Sequence, residues 1–346
     1  MKITVLCPHL RIAGGVRAIL TYADRLAGRG HDVELVVPAK HTIALWQPSR
    51  RAAPTWFGPF RPRLSWVSRW RADRLPAADV LLATAWQSAP VVAEAPPSCG
   101  AKFYLIQHDE SLYHGQPDAV NATYRLPLRK VVISTWLREI MRDRFASDAE
   151  LLVTPVDPAL FHPVDVQVGT PRPRVLMLHH HYAWKGVADG LEAVRRVKQR
   201  RATLHLVGFG LDAPRAGEPY DEFHPDLPQT GLARLYSSCD VYLCPSWDEG
   251  LGMPPMEAMA CGASLVTYDN GGCRDYAKDG ETALVARRRD VGDLCDKLER
   301  IATDEPLRAK IARAGQEFVR TAFDWERAVN RMEQLFTEAR PRRRPS

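Results

Sequence analysis

The 346-residue sequence contains no C-x-x-C pair, no internal repeat, no low-complexity tract and no run approaching the roughly 18 apolar residues of a membrane span. Without a C-x-x-C, the seven scattered cysteines read as reduced thiols packed as small apolar groups, not as disulfides or a zinc site. Cys239 and Cys244 come closest to a metal-type pair and are read as core residues as well. The opening MKITVLCPHL carries one lysine and a short apolar run, which leads to the expectation of a cytoplasmic protein without a secretion signal.

What is present is an ordinary globular composition, 45% hydrophobic and 25% charged, with length for about two domains that each hold a core. The formal charge of +6 is unevenly placed. The stretch from Arg50 to Arg74 holds seven arginines against one aspartate, and the tail from Arg340 holds four more; taking these +6 and +4 from the total leaves −4 on the rest. The first stretch also contains Trp56, Phe57, Phe60, Trp66 and Trp70. Arginine interleaved with aromatics fits a solvated loop and helix beside a substrate cleft, and it fits an anionic membrane surface touched by this stretch and the C-terminal tail. Both readings stay open, the second placing the protein peripherally on the inner face of the cell membrane; nucleic acid is not an expected partner.

Apolar strands are expected at Ile3 to Cys7, Val33 to Val37, Val80 to Ala83, Phe103 to Ile106 and Lys130 to Ile133, with a helix from Val16 to Leu26 after the first. A second alternating series has strands at Val175 to Leu178, Thr203 to Val207, Val241 to Cys244 and Ser264 to Thr267. Helices are expected there at Val187 to Gln199, Leu232 to Ser238, Glu257 to Ala260, Val291 to Thr303 and Leu307 to Phe318. Such alternation predicts α/β architecture, two tandem Rossmann-like doubly wound domains with a ligand cleft between them. The expected division is residues 1–160, a proline-rich linker 161–174, residues 175–322, and a terminal segment 323–346 whose helix crosses back to the first domain.

Gly14 and Gly15 sit in a loop just before a helix, where backbone N–H groups favour an anion, and a turn glycine would look the same. The run Gly208 to Ala213 matches G-x-G-x-x-A, yet Pro214, Gly217 and Pro219 follow, so no helix opens to receive a pyrophosphate. His179, His180 and His181 end a predicted strand, where only the first and third share a face; they are read as polar residues at a cleft edge, and no metal site is expected. Lys185 is a candidate phosphate clamp. No D-x-D triplet is available to hold a divalent ion on a diphosphate. The stretch DEGLGMPPMEAMACG puts Glu249 and Glu257 on either side of a segment from Gly250 to Pro255 that its glycines and prolines predict to be a tight loop. Gly252 and Met253 can offer N–H groups there.

These residues resemble family 4 retaining glycosyltransferases of the bacterial group 1 type, whose GT-B fold joins two Rossmann domains. PSWDEGLGMPPMEAMACGASLV is similar to that family's Glu-x7-Glu block, DNGGCRDYAKDG continues it, and YAWKGVADGLEAV is similar to its K-G helix start. AGGVRAILTYADRLAGRGHDVELV, IQHDE, VVIS and VDPALFHP agree more loosely in the first half. The resemblance implies transfer of a hexose or deoxyhexose from a nucleotide-diphosphate sugar to a hydroxyl of a glycan, glycolipid or small molecule, with retained configuration and no metal or other cofactor. It makes Glu249, His108 and Lys185 catalytic candidates. Gly14, Gly15, His180, Lys185, Gly250, Leu251, Gly252, Met253 and Glu257 become donor-binding candidates, with Glu257 on the ribose. Arg17 and Asp109 become acceptor-side candidates. His180 stands where the family usually has arginine, so the diphosphate would meet a weaker cation. Thr154-Pro155 occupies the family's usual Asn-Gly. A nucleotide-sugar 2-epimerase or hydrolase, or an inactive sugar-nucleotide-binding protein, would share the fold.

Overall fold

The computed structural model describes residues 1–39, 54–113, 115–169, 172–200 and 204–339, leaving the side chain of residue 229 aside. Arg50 and Arg51, Thr203, residues 170–171 of the expected linker and the basic tail from Arg340 lie outside them. The chain divides into two compact units, Met1–Thr154 with Glu326–Ser346, and Pro155–Trp325.

In the first unit the strands are β1 (Lys2–Leu6), β2 (Asp32–Pro38), β3 (Arg63–Val67), β4 (Val80–Ala83), β5 (Ala101–Ile106), β6 (Arg129–Val132) and β7 (Ala149–Leu151). They form one parallel sheet in the order β3-β2-β1-β4-β5-β6-β7. Central strands are covered on both faces, which is why β4 is VLLA with every residue buried. Helix α1 (Gly14–Gly28) follows β1 and buries Val16, Ile19, Leu20, Ala23 and Leu26, one face of a 3.6-residue period. Helices α2 (Ala89–Glu94), α3 (Pro117–Thr123) and α4 (Thr135–Phe145) follow; Ser134 caps α4 by accepting the Leu137 N–H.

In the second unit β8 (Arg174–Leu178), β9 (His205–Gly210), β10 (Glu222–Pro225), β11 (Val241–Cys244), β12 (Ser264–Tyr268) and β13 (Leu284–Ala286) form a parallel sheet in the order β10-β9-β8-β11-β12-β13. Its helices are α5 (Val187–Arg200), α6 (Gln229–Ser237), α7 (Met253–Ala260), α8 (Val291–Thr303) and α9 (Glu305–Ala322). Both strand orders reverse direction beside the first strand of their unit, between β1 and β4 and between β8 and β11. Helices there leave on opposite faces and open a crevice at the carboxyl ends of the strands.

The division falls after Thr154, six residues before the expected end at 160. Within the expected linker, Phe161 is buried with its ring 6.0 Å from Tyr236 and the Val164 N–H donates to Ser237 Oγ at 3.0 Å, whereas the described residues from 162 to 169 are exposed or half-buried. The terminal helix α10 (Trp325–Ala339) belongs with the first unit from Glu326 onward. It buries Val329, Met332 and Phe336 along one face, and Glu326 and Glu333 pair with Arg29 at 2.6 and 2.8 Å. All seven cysteines are free and buried. No described helix is long and apolar enough to cross a membrane.

Candidate functional site

The reversal between β8 and β11 decides what meets in the second unit. The carboxyl end of β8 leads through residues 179–186 into α5, and that of β11 through 245–252 into α7. These neighbouring loops bring together two charged candidates 64 positions apart: Lys185 Nζ donates to Glu249 Oε1 at 2.6 Å, both side chains mostly buried. With Cys244, Ser246, Pro254 and Pro255 they line a small, partly open recess. Gly186 permits the approach, since its φ is +64° and a Cβ there would fall 1.9 Å from Pro245 O.

The prolines do not form the expected loop. Helix α7 begins at Met253, so Pro254 and Pro255 lie in its first turn, where an N–H has no intrahelical partner to lose. Two of the donors a helix normally opens are thereby removed, and Met253 is left as the first N–H of α7. Gly252 caps it at φ +92°, where a Cβ would meet the Tyr276 hydroxyl at 2.6 Å. The Glu249 backbone is held by its N–H donating to Asn270 O at 3.0 Å and its carbonyl accepting from Gly272 at 3.1 Å. Gly250 and Leu251 are buried in the same turn. Glu257 is buried in α7 and accepts a hydrogen bond from Tyr236 Oη at 3.1 Å, a partner that no spacing in the sequence announces.

The three histidines lie beyond the end of β8, so strand alternation does not govern them. His179 is buried, its Nδ1 3.0 Å from the Tyr220 hydroxyl. His180 accepts from the Tyr182 N–H, and its pKa falls to about 4: burial disfavours the imidazolium, Lys185 and His181 add repulsion, and Asp212 and Glu249 offset part of it. His180 is therefore neutral at pH 7 in the free protein. His180, His181 and Asp212 also form a group whose ligand-type atoms lie within 4.8 Å of one another.

In the first unit, Gly14 opens α1 after the extended Ala13. A Cβ at Gly15 would come within 3.3 Å of Gln107 Nε2, so the α1 start lies against the carboxyl end of β5, next to His108. Arg17 lies in the first turn of α1, partly buried. Asp109 is buried and engaged: Oδ2 pairs with Arg144 Nη1 at 2.7 Å and Oδ1 accepts from the Ser111 hydroxyl at 2.5 Å. Its carboxylate thus ties the β5–α3 connection to α4. Glu110, absent from the sequence candidates, has its carboxyl enclosed with Oε2 accepting the Trp86 N–H at 2.8 Å; burial raises its pKa to about 7, and Asp109 adds to the rise. In the stretch after residue 53, Arg61, Arg63 and Arg71 pair with Asp24, Asp32 and Asp73, and the Trp56 and Trp70 indoles donate to Leu10 O and Val36 O.

Residues 163–318 match the family of group 1 glycosyl transferases. The O-antigen biosynthesis protein RfbC of Myxococcus xanthus is 30% identical over 275 residues, covering 75% of this chain and 20% of that protein. Sucrose-phosphate synthase from Thermosynechococcus elongatus superposes with a TM-score of 0.79 at 18% identity, covering 97% of this chain and 98% of the other. Anabaena HepE in complex with UDP and glucose gives 0.75 at 15% identity, covering 98% and 100%. The fold is GT-B. The chain spans between 20% and 53% of the length of the curated relatives it matches first.

Proposed function

We propose that the chain is a retaining glycosyltransferase that moves a hexose or deoxyhexose from a nucleotide-diphosphate sugar to a hydroxyl of a glycan, glycolipid or small molecule, without a divalent metal. The observation that carries the reading is the Lys185–Glu249 contact at the β8/β11 reversal, beside the N-terminus of α7. A diphosphate entering there meets one ammonium and the Met253 N–H at the positive end of a helix. As the phosphate draws Lys185, the Glu249 carboxylate becomes available to accept hydroxyls of the sugar, and Glu257, set by Tyr236, accepts those of the ribose. The anomeric carbon–phosphate oxygen bond breaks as the acceptor oxygen bonds to the same face, and the acceptor proton passes to the leaving phosphate. Backbone N–H groups and Lys185 stabilise the charge that develops on that phosphate. HepE, a neighbour in fold, is described with UDP and glucose, which supports a uridine donor as the first to try.

The test is a thermal-shift screen of nucleotide sugars with and without EDTA, followed by determination of the anomeric configuration of the product. Stabilisation that survives EDTA and a retained product support the reading; an inverted product or donor consumption without acceptor replaces it with another chemistry on this fold. We further propose a cytoplasmic location with contact to anionic membrane through residues 50–74 and the tail. Because Arg61, Arg63 and Arg71 are already ion-paired, that contact should be weak and lost at high salt, and a protein that ignores anionic vesicles at low salt overturns the membrane proposal and favours a soluble acceptor.

A further inference from the structure

The run Arg287-Arg288-Arg289 follows β13 and plays no part in the donor reading. Two of these arginines converge on the turn that carries Glu249. Arg288 Nε donates to Trp247 O at 3.1 Å, and its Nη2 pairs with the Asp248 carboxylate, which is buried. The Arg289 guanidinium lies 3.9 Å from the centroid of the Trp247 ring. Arg289 reaches that position with φ +59°, in the left-handed region that side chains other than glycine rarely adopt. A strained backbone held in place by its surroundings points to a function for the residue that bears it.

The other side of Trp247 leads to Lys185. The Trp247 N–H donates to Trp184 O at 2.8 Å, one residue before Lys185, and its indole donates to Asp189 in the first turn of α5 at 2.8 Å. Trp247 is therefore a second joint between the loop after β8 and the loop after β11, beside the Lys185–Glu249 pair, and the two arginines hold it from its exposed side. Arg287 pairs instead with Asp290 and Asp293 at the start of α8.

We propose that Arg288 and Arg289 are positioning residues that clamp the Trp247–Asp248 peptide and thereby set the Glu249 carboxylate against the Lys185 ammonium. The consequence for catalysis rests on the donor reading above; the clamp itself does not. Neither arginine touches the recess, so both act through Trp247 and Asp248.

The experiment is amide hydrogen exchange of the unliganded wild type, Arg288→Lys and Arg289→Gly, with kcat and KM on whichever nucleotide sugar the wild type uses. Lysine can pair with Asp248 but cannot also reach Trp247 O in a fixed fork, and glycine adopts the left-handed backbone freely while removing the contact with Trp247. The expected result is exchange at residues 247–249 faster by about tenfold in both variants, with Tm of Arg289→Gly within about 2 °C of wild type. In an active enzyme kcat then falls by about tenfold while KM changes by less than about threefold. Unchanged exchange at 247–249 in both variants overturns the proposal. A wild type that binds no nucleotide sugar rejects the donor reading alone, since the exchange result still decides the clamp.

Discussion

Replacing Glu110 by glutamine should flatten the acid-to-neutral stability profile of the protein. The carboxyl is enclosed against the Trp86 backbone and lies beside Asp109, and burial is the main reason its pKa stands at about 7 instead of 4.5. In the folded chain Glu110 thus keeps its proton up to about pH 7, whereas an unfolded chain releases it near 4.5. Between those values the folded state binds more protons, so stability falls as pH rises, and the loss is complete above pH 7. The difference of 2.5 between these pKa values corresponds to about 3 kcal/mol at 1.36 kcal/mol per unit. In Tm this is about 6–12 °C for a unit of this size. Glutamine keeps an oxygen to accept the Trp86 N–H and has no proton to lose. Whatever constant offset its amide introduces, the variant's profile should diverge from that of wild type between pH 4.5 and 8 and favour the variant increasingly on the alkaline side. Thermal unfolding in half-unit pH steps gives both curves, and groups common to the two chains cancel in their difference. Parallel curves, within about 1 °C throughout, would refute the claim that this carboxylate is ionised at a cost in the folded protein.

Lys185→Ala and Glu249→Ala should each lower turnover by about 10²-fold or more in folded protein, measured with the donor found in the screen, and near-normal turnover for both removes them from the reaction. Tyr236→Phe deletes one hydrogen bond to the buried Glu257, costing about 1–3 kcal/mol in a denaturant titration and raising the donor KM more than it lowers kcat. Gly252→Ala forces a methyl group toward the Tyr276 hydroxyl at φ +92° and should cost about 1–3 kcal/mol, with a matching loss of donor affinity by calorimetry.

The strands that periodicity reveals and the strands it misses differ in one respect. β1, β2, β4, β5, β6, β8, β11 and β12 are legible because each has neighbours on both sides and carries a run of buried apolar groups, whereas β9 is legible only over His205–Val207, since the glycine run expected after the strand begins inside it. β3, β7, β10 and β13 are the four edges of the two sheets. RLSWV, AEL and EFHP have no fully buried residue, so no buried apolar run marks them, and LVA, though mostly buried, is three residues long. An edge strand is defined by the partner it finds, and that partner is distant in sequence. The start of α7 was misplaced for a related reason, since proline is excluded from the interior of a helix but not from its first turn.

The candidate site divides along the same line between local and distant information. Lys185, Glu249 and Glu257 were legible because each sits in a short motif whose glycines and prolines show that the backbone must do something unusual nearby. What those residues are attached to was not. Glu249 depends on Asn270 and, through Asp248, on Arg288; Glu257 on Tyr236; Asp109 on Arg144. Each of these partners lies at least 20 residues away and is of a type common on any protein surface. The charge state of His180 belongs to the same class: a histidine is partly protonated near neutrality unless its surroundings decide otherwise, and here burial and Lys185, five positions on, decide it. Among the described residues of the loops after β8 and β11, Lys185 is then the one formal cation that the proposed diphosphate would meet, where the sequence had suggested one and a fraction. An arginine at position 180 would change that. If the site binds diphosphate as proposed, His180→Arg should tighten binding of a nucleotide diphosphate about tenfold at pH 7.5 by calorimetry and steepen its loss with salt, because a second permanent charge is supplied where the neutral imidazole supplies none. Unchanged or weaker binding would mean that position 180 does not face the phosphates, and the placement of the donor across the β8/β11 reversal would have to be redrawn around Lys185 alone.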